Sequence, residues 1–68
     1  MKQLENYKRY LIQSDESPAA IAICINGLFV LEGDYYQHRD EDPDWAKYAV
    51  KWPQLRWMEV PHVPGRAG

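Results

Sequence analysis

Nucleophilic and metal-binding chemistry in this 68-residue sequence falls to Cys24, His38 and His62, and these three stand apart from one another. A catalytic thiol needs an accessible position and a partner that lowers its pKa. Cys24 has neither in its neighbourhood: it sits between Ile23 and Ile25, and reads as a buried structural cysteine. The two histidines show no ligand spacing to each other or to Cys24, whereas zinc sites present two close-set pairs of ligands. Asp40-Glu41-Asp42-Pro43-Asp44 lacks the alternating ligands and central glycine of a calcium loop. Gly27 and Gly33 suit turns and do not form a phosphate-binding loop. Carboxylates for acid/base chemistry are plentiful, but they lie in one polar run with no apolar pocket beside them to raise a pKa. The residues therefore predict no metal, no cofactor and no catalytic group, and favour a binding protein over an enzyme.

Two features could make a binding surface. Six of the ten acids, Glu32, Asp34, Asp40, Glu41, Asp42 and Asp44, fall between positions 32 and 44, opposed there by Arg39 alone. Such a stretch is either a solvated connection with a capped helix start or a docking surface for a basic groove. The second feature is aromatic density, with Tyr35, Tyr36, Trp45, Tyr48, Trp52 and Trp57 in one half of the chain. Most of these are core material, yet Tyr and Trp beside charges also make up binding hot spots. The expected partner-binding residues are Tyr35, Tyr36, Asp34, Asp40, Glu41 and Asp42.

The elements that must position these groups follow from periodicity. Leu4, Tyr7 and Leu11 share one helical face and predict a helix over Met1 to Ile12, with a strand over Tyr7 to Gln13 as its rival. Ser14 to Pro18 reads as a loop. Ala20 to Ile25, then Asn26-Gly27, then Leu28 to Glu32 is a hairpin pattern, because Asn-Gly takes the positive φ angles of a two-residue type I′ turn. Ser17, Pro18 and Gly27 could instead bracket a helix, but the alternating isoleucines favour strands. Residues 33–41 read as a polar connection. Asp42 as cap and Pro43 at the first position predict a helix over Pro43 to Trp52, with Trp45, Tyr48, Ala49 and Trp52 as its apolar stripe. Leu55 to Val60 reads as a strand.

This order predicts one α+β domain over residues 1–60 with a flexible C-terminal tail over residues 61–68. Its expected architecture is a three-stranded antiparallel sheet, centred on the Asn26-Gly27 hairpin, with one or two helices on one face. The hairpin register puts Ile21, Ile23, Ile25, Leu28 and Val30 on one face and Ala20, Ala22, Cys24, Phe29 and Leu31 on the other. Helices on one side leave the second face bare, and monomers rarely expose an apolar patch of that size. A homodimer across Ala22, Cys24, Phe29 and Leu31 is the expected solution.

Composition bounds the rest. A lone cysteine excludes an intramolecular disulfide and suits a reducing compartment. The apolar stretch Ala19 to Leu31 is too short for a membrane helix and Asn26-Gly27 breaks it, and no secretory leader is visible, so a cytoplasmic location is expected, in the host if the chain is phage-encoded. A formal charge of −2 argues against a general affinity for nucleic acid or anionic membrane; direct nucleic-acid contact through Lys47, Lys51 and Arg56 is disfavoured on the same ground. The expectation is a small protein-binding module of the kind phages and mobile elements encode, an inhibitor or modulator that occupies a surface on a larger host protein machine. The alternative is an acidic mimic competing with DNA or RNA for a basic groove.

Overall fold

A computed structural model describes residues 3–60 as a four-stranded antiparallel sheet carrying one short helix, an α+β fold. The expected tail over residues 61–68 lies outside the described residues, as do Met1 and Lys2. The strands are β1 (Arg9–Ser14), β2 (Ser17–Ile25), β3 (Leu28–Leu31) and β4 (Arg56–Glu59), in the spatial order β3-β2-β1-β4. The hairpin forms in the register read from Asn26-Gly27, with Ile25 opposite Leu28 and Ala22 opposite Leu31. Asn26 and Gly27 both take positive φ, 50° and 82°, as the type I′ turn demands.

The fourth strand comes from the segment expected to be a helix. β1 pairs with β2 on one side and β4 on the other, so it is an inner strand. Tyr10, Ile12 and Ser14 are buried and the residues between them are less so, a period of two that overrides the helical spacing of Leu4, Tyr7 and Leu11. A helix here would forfeit two ladders of backbone hydrogen bonds, while an isolated twelve-residue helix is only marginal in water. The loop over Ser14 to Pro18 contracts to a two-residue turn at Asp15-Glu16, where Glu16 N–H donates to the buried Ser14 Oγ at 3.4 Å.

Helix placement is the second correction. The helix α1 spans Glu32–His38, inside the stretch expected to be a polar connection, and no helix forms over Pro43–Trp52. Two 3-10 turns, Arg39–Glu41 and Trp45–Lys47, stand between α1 and the rest of the chain. Asp42 takes φ 50°, which breaks the helical path just before Pro43. Asp44 does act as a cap, but for the second 3-10 turn, its carboxylate accepting from Ala46 N–H at 3.2 Å. Beyond that turn the backbone returns to the sheet: Ala49 bridges Val30, and Val50 N–H donates to Phe29 O at 2.7 Å. Pairing with β3 therefore takes the place of the second half of the expected helix.

Antiparallel partners share a face, so register assigns the two sides of the sheet. Ile23, Ile25 and Val30 lie on one side under Tyr35, Trp45 and Tyr48. Tyr10, Ile12, Ala22 and Cys24 lie on the other, and all four are buried. That second face was expected to be bare, and the chain covers it. Tyr10 packs edge-on against Phe29 at 5.9 Å and Trp57 at 5.2 Å between ring centroids, and Phe29 and Trp57 are themselves only 6.5 Å apart. β3 and β4 are three strand spacings apart, roughly 14 Å, so these rings lean inward over the intervening strands. Ala22 is 0% and Cys24 1% exposed within a single chain, and Phe29 and Leu31 are half-buried. Of the four residues expected at a dimer interface, Ala22 and Cys24 are thus covered within one chain, and Phe29 and Leu31 keep partial exposure.

Among the described residues no helix is long and apolar enough to cross a membrane. Lys8 ties the chain before β1 to β4: its ammonium bonds Glu59 and, at 3.1 Å, Glu5. The Glu59 and then the Glu5 carboxylate raise its pKa above the usual 10.5. A raised pKa stabilises the fold below about pH 10, and that contribution fades as pH climbs through the folded value. The stability gap between the wild type and Lys8→Met should accordingly narrow from pH 7 to strongly alkaline solution, as read by thermal melts across that range. Tyr10→Ala should cost about 3–5 kcal/mol, a large part of the total for a domain this small. Tyr10→Phe loses only the bond from Glu5 N–H to the phenol oxygen, about 1 kcal/mol. Urea midpoints of the two variants should differ accordingly, and equal midpoints would count against the aromatic cluster as the main support of that face.

Candidate functional site

The acidic and aromatic stretch folds into one surface because α1 and the second 3-10 turn pack ring against ring. Tyr35 and His38 are three residues apart, which puts them on the same side of α1. Trp45 and Tyr48 are also three apart, across a turn whose period is three. The two pairs stack: Tyr35 on Trp45 at 5.4 Å and 25°, His38 on Tyr48 at 4.3 Å and 17°. Tyr35, Trp45 and Tyr48 then rest on Ile23, Ile25 and Val30, so sheet, helix and turn share one small core.

Above this core lies an open cleft of about 260 Å³. Tyr35 and Trp45 line it, together with Arg39, Asp40 and Asp42 from the first 3-10 turn and its end, and Tyr7 from the segment before β1. Tyr7 stands 6.5 Å from Tyr35 at 57°. Its backbone is left-handed, φ 66°, which a bulky side chain seldom adopts. Two bonds to one residue hold it there: Tyr7 N–H donates to Cys24 O at 2.6 Å, and Cys24 N–H donates to Lys8 O at 3.0 Å. Asn6 adds a third tie, its side-chain oxygen accepting from Asn26 N–H at 2.7 Å. The Asn-Gly turn thus helps to place a ring that lies nineteen positions upstream of it.

The six acids of the stretch divide by role. Glu32 pairs with Arg9 at 2.7 Å, Glu41 with His38 at 3.1 Å and Asp40 with Arg39 at 3.7 Å. Asp44 caps the second 3-10 turn. Asp34 and Asp42 make no ion pair among the described residues. Arg39 also lies over the Tyr36 ring, 5.5 Å from its centroid, and Tyr36 is 55% exposed. The cleft itself therefore holds two carboxylates against one guanidinium, and that guanidinium is already engaged at its edge.

Of the six residues expected to bind a partner, Tyr35, Asp40 and Asp42 line the cleft. Tyr36 adjoins it through Tyr35, 5.1 Å away. Glu41 and Asp34 do not line it; Asp34 sits half-buried in the first turn of α1. Sequence reasoning missed Tyr7, which it placed on a helix, and gave Trp45 only a core role. No local signal marks Tyr7, because the contact that positions it comes from β2. Among the described residues no three His, Cys, Asp or Glu side chains converge as a metal site would require. A second hollow of about 240 Å³ lies at the β4 edge between Leu11, Trp57 and the exposed Met58. No protein-family model matches the chain, and neither a curated protein nor a solved structure is significantly similar to it.

Asp42 and Asp44 separate the two kinds of acid. Asp44→Ala should lose about 1 kcal/mol with its cap. Asp42→Asn should stay within roughly 0.5 kcal/mol, since Asn also tolerates the left-handed backbone and no bonded partner is lost. Chemical denaturation of both variants checks the pair.

Proposed function

We propose that this chain is a protein-binding module, an inhibitor or modulator that works by occupying a surface on a larger protein, and that the Tyr36 edge and the cleft beside it form its docking surface. The observation that carries the reading is the aromatic cleft of Tyr7, Tyr35 and Trp45, rimmed by Asp40 and Asp42 and flanked by an exposed tyrosine. Aromatic rings held by packing offer contact area at little entropic cost on binding, which is the usual make-up of an interface anchor. The distribution of charge supports a protein partner over mimicry of a nucleic acid. A mimic needs repeated uncompensated negative charges, whereas Glu32, Asp40 and Glu41 are each paired with a cation or a histidine of the same chain.

Affinity capture from a lysate of the source cells, run in parallel with wild type, Tyr36→Ala and a triple Lys replacement of Asp40, Glu41 and Asp42, tests this. A specific partner should be retained by wild type and lost from both variants, while circular dichroism stays unchanged. Bound proteins that ignore both variants would move the interface away from this surface. Raising salt should weaken capture only modestly, because aromatic burial is not screened.

A further inference from the structure

We infer that the cleft takes the guanidinium of an arginine side chain presented by a partner polypeptide. This rests on the reading of the chain as a protein-binding module and adds the chemistry of what enters the site. Size comes first: about 260 Å³ is below the usual range for a drug-sized ligand and suits a single side chain. The walls then select for a cation. Tyr7, Tyr35 and Trp45 line it with aromatic rings, groups that attract a cation, and Asp40 and Asp42 add carboxylate acceptors. Arg39 is the one cation of the lining among the described residues and already pairs with Asp40, so the second carboxylate leaves the cleft a net negative charge that disfavours an anion. Asp42 makes no ion pair among the described residues, so the cleft retains negative charge for an incoming cation.

The choice of guanidinium over ammonium follows from shape and hydration. A guanidinium is planar, stacks on aromatic rings and donates two parallel bonds to a carboxylate. An ammonium is a compact, strongly hydrated point charge and gains less from a flat aromatic lining. The chain already displays the preferred chemistry at the mouth of the cleft, where Arg39 lies over Tyr36 and beside Asp40. An arriving arginine would meet the same kinds of group in Asp42 and the Tyr7 ring, which both line the cleft.

The backbone of Tyr7 is held by its bond to Cys24, but its side chain does little for the core. Its ring is 64% exposed, so it adds little to the core, yet a bulky side chain stands at a φ that glycine would occupy without strain. Backbone held in a sparsely populated region is a mark of functional positions. Tyr7→Gly should keep or improve stability while removing one wall of the cleft.

The test is an NMR titration of the full chain with Nα-acetyl-arginine amide, with the lysine and citrulline amides as controls. Arginine amide should give saturable shifts confined to Tyr7, the Arg39 to Trp45 segment and the Trp45 indole N–H. Citrulline, the neutral isostere, should give none, and lysine should bind more weakly. Tyr7→Gly and Asp42→Asn, each checked by a thermal melt, should weaken arginine binding about fivefold or more. Equal shifts from citrulline, or arginine shifts spread over the acidic surface and indifferent to Tyr7→Gly, would overturn the assignment. If arginine amide fails to bind while Tyr36→Ala still abolishes capture of the partner, the guanidinium assignment falls and the protein-binding reading stands. If arginine binds but capture is unaffected by the Tyr36 and triple variants, the docking surface proposed above is the part that fails.

Discussion

The structure depends on three aromatic rings meeting over one face of the sheet. Tyr10 from an inner strand, Phe29 from β3 and Trp57 from β4 close one face of the sheet, which no helix covers among the described residues. Ala22, opposite Tyr10 and fully buried, belongs to the same face, and overpacking there would force strain into a core that has few residues to absorb it. With this closure made inside one chain, all the helical structure is free to serve the other face.

On that other face the economy is similar. α1 is only seven residues long and has no side-chain cap at its start, so little of its stability is intrinsic. It holds because Tyr35 and His38 stack on Trp45 and Tyr48, which rest on the sheet. Tyr35 and Trp45 also line the cleft, so the residues that fasten the helix also build the candidate site. Tyr7 completes it from the far end of the chain, held by backbone bonds to Cys24. Cys24 contributes through its main chain while its thiol stays buried, as its place between Ile23 and Ile25 predicts.

The proposed binding chemistry uses what this packing leaves over. Three acids are spent on intrachain pairs and one on a cap, and exposed pairs of that kind contribute little stability. Their effect is to fix which carboxylates remain available. Asp42 remains, displayed at the rim by a left-handed backbone that also ends the run of helical turns. One conformational choice at Asp42 thus stops the helix and sets the acceptor at the mouth of the cleft.

What the sequence by itself determined was local. The Asn26-Gly27 turn and every pair of the β2–β3 register were legible, because positive φ at two adjacent positions admits few residues and a period of two then leaves no freedom. The strand around Trp57 and the choice of Tyr35, Asp40 and Asp42 were legible from residue type. The element types at 3–12, 32–38 and 43–52 were not, since each segment carries enough helical or extended character to go either way, and the decision fell to pairing partners distant in sequence. β1 became a strand because β2 and β4 stood on both sides of it. The segment after Trp45 left its helical path because β3 offered Phe29 O and Val30 as partners. The covering of the Ala22 face was hidden for the same reason: side-chain reach across three strands is a property of the assembled sheet, and periodicity along the chain carries no trace of it.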